Sequence, residues 1–94
     1  MGLKSFEFVV KGTVQGVNFR SWTVKQASQM GITGYVTNDS TGHVSGVAEG
    51  EGEALDKFAK VLQKGPSAAD VADVVINKEE DISSKKYSSF DVEH

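Results

Sequence analysis

The segment from Lys11 to Arg20, KGTVQGVNFR, combines two glycines four residues apart with the only arginine of the chain. Glycine tolerates backbone angles that let successive N–H groups point into one concavity, and such concavities bind anions. A guanidinium adds a planar set of donors that fits a phosphate through two parallel hydrogen bonds. These residue types and their spacing suit an anion site formed by the amides of residues 15–20 and the Arg20 side chain.

The same segment also fits an ordinary turn between a strand and a helix, with a solvated arginine. Spacing alone leaves both interpretations open and slightly favours the turn. The segment is not a P-loop, because the Gly-x-x-x-x-Gly-Lys-Ser/Thr pattern is absent, and it is not a dinucleotide-binding fingerprint.

Asn38 ends a β-like run at the turn sequence NDSTG, and three roles are open to it. The first is turn geometry, which asparagine favours. The second is N-glycosylation at Asn38-Asp39-Ser40, which is disfavoured because no secretory signal is present. The third is to orient a nucleophilic water, since an amide offers both a donor and an acceptor without taking a proton.

Several other catalytic devices are missing from the sequence. There is no cysteine, which excludes disulfides, zinc–cysteine sites and thiol nucleophiles. The two histidines, His43 and His94, are too few and too far apart for a usual metal site. No His–Asp pair is placed to activate a serine. An anion cradle, one arginine and one amide can stabilise charge and position water, which suits a substrate with a good leaving group.

Composition limits the class of protein. With 94 residues, one domain over 1–94 is expected. The net charge of −3 argues against a general nucleic-acid or membrane-surface binder. No apolar stretch reaches transmembrane length and no signal-peptide core is visible, so we expect a cytoplasmic protein.

Hydrophobic periodicity predicts the elements that must position these residues. The predicted strands span 5–11, 32–38, 43–50, 71–77 and 87–92, and the predicted helices span 19–30 and 51–64. Gly12–Asn18 is predicted as the bend and residues 78–86 as a charged loop. The order β-α-β-β-α-β with one short extra strand predicts an α+β, ferredoxin-like βαββαβ sandwich, an antiparallel sheet with two helices packed on one face.

The aromatic residues are predicted to form the core. Phe6 and Phe8 alternate with polar neighbours, while Phe58 and Phe90 fall on the apolar faces of their elements. The first helix is predicted to bury Phe19, Trp22, Ala27 and Met30, which recur at helical intervals. Gly31 is predicted to end that helix as a C-terminal cap.

Two sequence blocks resemble the signatures of the acylphosphatase family. GTVQGVNFR at 12–20 resembles its glycine-x-valine-glutamine-glycine-valine-x-phenylalanine-arginine block, and GYVTN at 34–38 its glycine-aromatic-valine-x-asparagine block. Gly42 matches the glycine after the turn, and YSSF at 87–90 looks like the family's last strand. The resemblance runs from about residue 6 to residue 92.

The resemblance implies hydrolysis of the carboxyl–phosphate bond of acyl phosphates without metal or cofactor. It implies that Arg20 binds the phosphoryl group together with backbone amides of the preceding loop. The loop residues are Gln15, Gly16, Val17, Asn18 and Phe19. Asn38 would orient the attacking water, and an oxygen of the substrate's own phosphate would accept its proton. The expected partners are an acyl phosphate and, as a competitive ligand, inorganic phosphate; we expect a monomer without nucleic-acid or membrane partners.

Four positions depart from the family pattern. Thr13 stands where a basic residue is common, and Tyr35 replaces the more usual tryptophan. Asp39 and His43 stand where threonines are frequent. Asp39 would repel an anionic substrate if it faced inward, and His43 would make activity pH-sensitive below neutrality.

Two alternatives to an enzyme remain. The first is a binding module of the same fold that senses a phosphate or carboxylate without turnover. The second, a single-stranded RNA binder, is disfavoured by the net charge and by the missing exposed aromatic sheet motif.

Overall fold

The computed structural model describes residues 2–13, 19–67 and 69–93. Its elements in chain order are β1 (Leu3–Thr13), α1 (Phe19–Gln29), β2 (Thr33–Asn38), β3 (Val44–Glu51), α2 (Gly52–Lys64), β4 (Asp70–Asp81) and β5 (Phe90–Val92). The strands form one sheet in the order β4-β1-β3-β2-β5. The predicted α+β, ferredoxin-like plan is confirmed.

The sheet is antiparallel except at one edge. β1 pairs antiparallel with β3 and β4, and β2 pairs antiparallel with β3. The short β5, which is the predicted extra strand, pairs parallel with β2. α1 packs against β2 and β5, and α2 packs against β1, β3 and β4. Alternate residues of β1, β2 and β3 therefore face the helices.

The core lies between the sheet and the helices. Phe6, Phe8, Phe58 and Phe90 are buried as predicted. The Phe58 ring is central, because it makes edge contacts with Phe8 and Phe90 at centroid distances of 5.9 Å each. Such edge contacts stabilise aromatic pairs beyond their area burial.

The buried face of α1 differs from the predicted one. Its buried residues are Phe19, Thr23 and Ala27, while Trp22 is only half-buried, with its ring 5.3 Å from that of Phe19. Thr23 tolerates burial because its hydroxyl donates to the carbonyl of Phe19 at 2.8 Å.

Gly31 ends α1 as predicted. Its φ of 70° is the left-handed conformation that glycine adopts without strain. The N–H of Gly31 donates to the carbonyl of Ser28 at 3.3 Å, and that of Ile32 donates to the carbonyl of Ala27 at 2.9 Å. This pair of bonds is a Schellman motif, and both Ile32 and Ala27 are buried behind it.

Several predicted boundaries were wrong. β5 spans only Phe90–Val92 and not the predicted 87–92. Gly12 and Thr13 belong to β1, where they pair with Val71 and Asp70, and not to the bend. Residues 78–81 continue β4 and are not loop. The pairing shifts register between Ser5 and Glu7, and Lys78 takes a φ of 52°, as in a β-bulge. The bulge lets the edge strand β4 stay paired with β1 through residues 78–81, which are charged and exposed. Because edge strands tolerate such residues, their polarity led to the wrong prediction of a loop.

Neither α1 nor α2, the helices of the described part of the chain, is long and apolar enough to cross a membrane.

Candidate active site

Strand register brings the predicted site elements to one end of the sheet. Val10 of β1 pairs with Val44, the first residue of β3, and Val44 pairs with Asn38, the last residue of β2. Adjacent strands lie about 4.8 Å apart, so Asn38 is about 10 Å across the sheet from Val10. The C-terminal end of β1 and the end of β2 that carries Asn38 therefore lie at the same end of the sheet, with the start of β3 between them.

The alternation along β2 decides which way Asn38 points. Gly34 and Val36 are buried on the face covered by the helices. Asn38 follows them at the next alternate position and is half-buried. Its amide is therefore on the helix side of the sheet, at the strand end.

Arg20 is the second residue of α1 and is half-buried. It follows Phe19, whose side chain is buried in the core and so holds the first turn of α1 against the sheet. The first N–H groups of a helix lack intrahelical partners and carry partial positive charge. The guanidinium and the positive end of α1 therefore belong to the same turn.

Four of the predicted phosphate-binding residues lie outside the described part of the chain. They are Gln15, Gly16, Val17 and Asn18. Phe19 and Arg20, which follow them, are described and open α1. The role of residues 15–18 stays a prediction from the sequence resemblance.

The turn after Asn38 is closed by the side chain of Asp39. Its Oδ1 accepts hydrogen bonds from the backbone N–H of Thr41 at 2.9 Å and of His43 at 3.1 Å, and from the Thr41 hydroxyl. The hydrogen bond from the Thr41 hydroxyl is the largest cause that lowers the pKa of Asp39 below its ordinary value of 3.8. Desolvation is the second cause and raises the pKa, while the two backbone hydrogen bonds and the nearby His43 lower it further. The carboxylate is thus ionised at neutral pH, and one of its oxygens is engaged within the turn.

His43 continues this hydrogen-bonded chain. Its Nδ1 lies 3.0 Å from the Thr41 hydroxyl oxygen. Because that hydroxyl donates its hydrogen to Asp39, the ring nitrogen must be the donor to it. We therefore assign the hydrogen of His43 to Nδ1 from the network.

Sequence reasoning missed a buried carboxylate on the opposite face of the sheet. Glu49 of β3 is 2% exposed, and its oxygens accept hydrogen bonds from the N–H groups of Lys86 and Tyr87 and from the hydroxyl of Thr33. The alternation of β3 gave a weak signal, since this glutamate lies among small and apolar residues. Its two backbone N–H partners are 37 and 38 residues further along the chain and could not be identified from the sequence.

Glu49 lines a cavity of about 480 Å³, together with Tyr35, Tyr87, Lys78 and Lys86. The two tyrosine rings contact each other there at a centroid distance of 5.7 Å. Arg20 and Asn38 do not line this cavity. Across the described ranges, no three His, Cys, Asp or Glu side chains are grouped as metal ligands would be.

Comparison with known proteins agrees with the sequence blocks. The profile of the acylphosphatase family matches residues 6–92. The acylphosphatase of Vibrio parahaemolyticus is 40% identical over 92 residues, which are 98% of this chain and 99% of the relative.

Solved structures agree as well. The acylphosphatase of Bacillus subtilis superposes with a TM-score of 0.89 at 28% identity, covering 97% of this chain and 99% of that one. The acylphosphatase of Coxiella burnetii gives 0.85 at 36% identity, covering 98% and 94%. The resemblance predicted from the two blocks is confirmed.

Proposed function

Because the chain belongs to the acylphosphatase family, we propose that it hydrolyses the carboxyl–phosphate bond of acyl phosphates to a carboxylate and inorganic phosphate. The observation that supports this most directly is the register that aligns Val10, Val44 and Asn38. It brings an amide able to orient water to the same end of the sheet as the C-terminal end of β1, the strand that precedes the arginine-bearing first turn of α1 in the sequence.

In the proposed reaction, water attacks phosphorus in line with the leaving carboxylate. The new bond joins the water oxygen to phosphorus, and the bond between phosphorus and the acyl oxygen breaks. A carboxylate is a weak base, because its conjugate carboxylic acid has an ordinary pKa of about 4, so it leaves without a general acid. The proton of the water passes to an oxygen of the transferring phosphoryl group, which removes the need for a general base.

The residues divide this work between charge and geometry. Arg20 and the amides of residues 15–19 hold the negative charge of the phosphoryl oxygens, and Asn38 places the water. Phosphoryl transfer depends mainly on such positioning and electrostatic stabilisation. Loss of an arginine that contacts the transferring group costs on the order of 10³-fold or more in rate.

Hydrolysis of benzoyl phosphate, followed by ultraviolet absorbance in the presence of a chelator, tests this function. We expect turnover by the wild type, loss of both turnover and phosphate binding in Arg20→Gln, and loss of turnover with retained phosphate binding in Asn38→Ala. Lys25→Gln, on the exposed side of α1, and Asn77→Ala, exposed on β4, are the matched controls. Near-normal hydrolysis by Arg20→Gln would disprove the assigned mechanism.

The alternative function is a phosphate-binding module without turnover. It predicts that inorganic phosphate binds in an Arg20-dependent manner while benzoyl phosphate is not hydrolysed. The same assay, combined with a phosphate titration, separates the two. We also propose that inorganic phosphate is a competitive inhibitor and that the active species is a monomer, which sedimentation at assay concentration checks.

A further inference from the structure

Asp39, which follows Asn38, forms hydrogen bonds with both the backbone N–H and the backbone carbonyl of His43, which precedes Val44. The N–H of Asp39 donates to the carbonyl of His43 at 2.9 Å, and Oδ1 of Asp39 accepts from the N–H of His43 at 3.1 Å. The pairing of Asn38 with Val44 is the last rung of the β2–β3 ladder. After that pair of residues, the two hydrogen bonds between Asp39 and His43 fix the backbone next to Asn38.

The carboxylate strengthens this closure through its charge. It also accepts from the N–H of Thr41 at 2.9 Å and from the Thr41 hydroxyl, which in turn accepts from Nδ1 of His43 at 3.0 Å. Hydrogen bonds to an ionised acceptor are about twice as strong as neutral ones. An apolar side chain at position 39 would leave the N–H of His43 without this acceptor.

We propose that Asp39 is a positioning residue that acts through Asn38: its carboxylate closes the turn and so sets where the Asn38 amide holds the attacking water. This inference rests on the proposed function and deepens it. It also gives the departure at position 39 a role, because Oδ1 of the carboxylate that would oppose an anionic substrate is engaged in the turn. A displacement of about 1 Å in a reacting geometry can cost on the order of a hundredfold in rate.

A purely structural role for Asp39 makes a different prediction, and a double-mutant cycle separates the two. If Asp39 acts through Asn38, Asp39→Ala lowers kcat by on the order of tenfold or more in the wild-type background. In the Asn38→Ala background the same substitution changes the residual kcat, followed at high enzyme concentration, by less than about twofold, because the group it positions is gone. KM and inhibition by inorganic phosphate stay unchanged, since the Arg20 side of the site is untouched.

Two further variants keep the test decisive. Asp39→Asn retains an acceptor oxygen and is expected to recover most of the lost kcat. Thr41→Val removes the hydroxyl link and replaces Asp39→Ala in the cycle if that variant does not fold. The control is Asp73→Ala on β4, which removes an exposed aspartate that accepts from the N–H of Val74 at 2.9 Å and is expected to leave kcat unchanged.

The outcomes are distinguishable. Equal losses of kcat in both backgrounds, or an unchanged kcat in folded Asp39→Ala, would overturn the positioning role while leaving the proposed function intact. An inactive wild type would overturn the proposed function, and the positioning role with it.

Discussion

A β-carbon on Gly12 would lie 2.2 Å from the carbonyl oxygen of Asp70 and 2.7 Å from the backbone nitrogen of Ala72. Gly12 also takes a φ of +132°, which side chains rarely adopt. The first glycine of the 12–20 sequence block is therefore required where the end of β1 meets the start of β4. Its structural role is to let these two strands approach each other closely.

Gly12→Ala is expected to lower the free energy of unfolding by at least about 2 kcal/mol, because backbone strain and overlap with β4 each cost 1–3 kcal/mol. Chemical denaturation measures this change. Gly52→Ala is the control, since a β-carbon there would be 3.5 Å from Lys4, an ordinary contact, at the start of α2. Equal stability of the two variants would contradict the role given to Gly12.

Glu49→Gln is expected to destabilise the protein by about 1–3 kcal/mol, because both side-chain oxygens of the buried Glu49 accept hydrogen bonds from backbone N–H groups. The NH₂ group of glutamine would meet the N–H groups of Lys86 and Tyr87 without accepting from them. Faster hydrogen exchange across β5 should accompany the loss. Glu7→Gln removes an exposed carboxylate 3.6 Å from Lys78 and should change stability by less than about 1 kcal/mol. A Glu49→Gln protein as stable as Glu7→Gln would show that the buried bonds contribute little.

Burial, followed by the nearby charges of Tyr35, Glu49 and Glu93, raises the pKa of Tyr87 above its ordinary value of 10.0. The unfolded chain therefore loses this proton at lower pH than the folded chain. The resulting stabilisation is fully present below pH 10.0 and is lost as the pH rises through the higher folded value.

Absorbance of tyrosinate against pH tests this directly. We expect a component above pH 10.0 that disappears in Tyr87→Phe and persists in Tyr35→Phe, since burial is the largest cause of the shift. If the component above pH 10.0 persisted in Tyr87→Phe at its wild-type midpoint, the raised pKa would not belong to Tyr87.

Inorganic phosphate is expected to raise the Tm of the wild type, since a ligand that binds only the folded state stabilises it. At ten times its Kd the gain is about 1.4 kcal/mol, which corresponds to several degrees in a domain of this size. The rise should be absent in Arg20→Gln and kept in Asn38→Ala and Lys25→Gln. Chloride at equal ionic strength separates specific binding from screening.

The confirmed parts of the fold depend on local patterns. Phe6, Phe8 and Val10 show the two-residue period of a half-buried strand. Gly31 has a positive φ of 70°, the left-handed conformation that ends α1 at that point. The errors arose where neighbours in space decide. Thr23 is buried because its face of α1 packs against β2 and β5, and the Phe19 carbonyl satisfies its hydroxyl there. β4 reaches Asp81 because a bulge keeps it paired with β1.

The sequence by itself determined the family, the order of elements and the residue types of the candidate site, because signature spacing and hydrophobic period are written along the chain. Arg20 and Asn38 could be selected in this way. Only the tertiary structure decided that Asn38 and the C-terminal part of β1 lie at the same end of the sheet, two strands apart. It also decided that the Asp39 carboxylate accepts hydrogen bonds within its own turn, and that Glu49 accepts from the N–H groups of Lys86 and Tyr87. Register, side-chain direction and long-range hydrogen bonds arise between segments far apart in the chain, so the separate segments do not contain them.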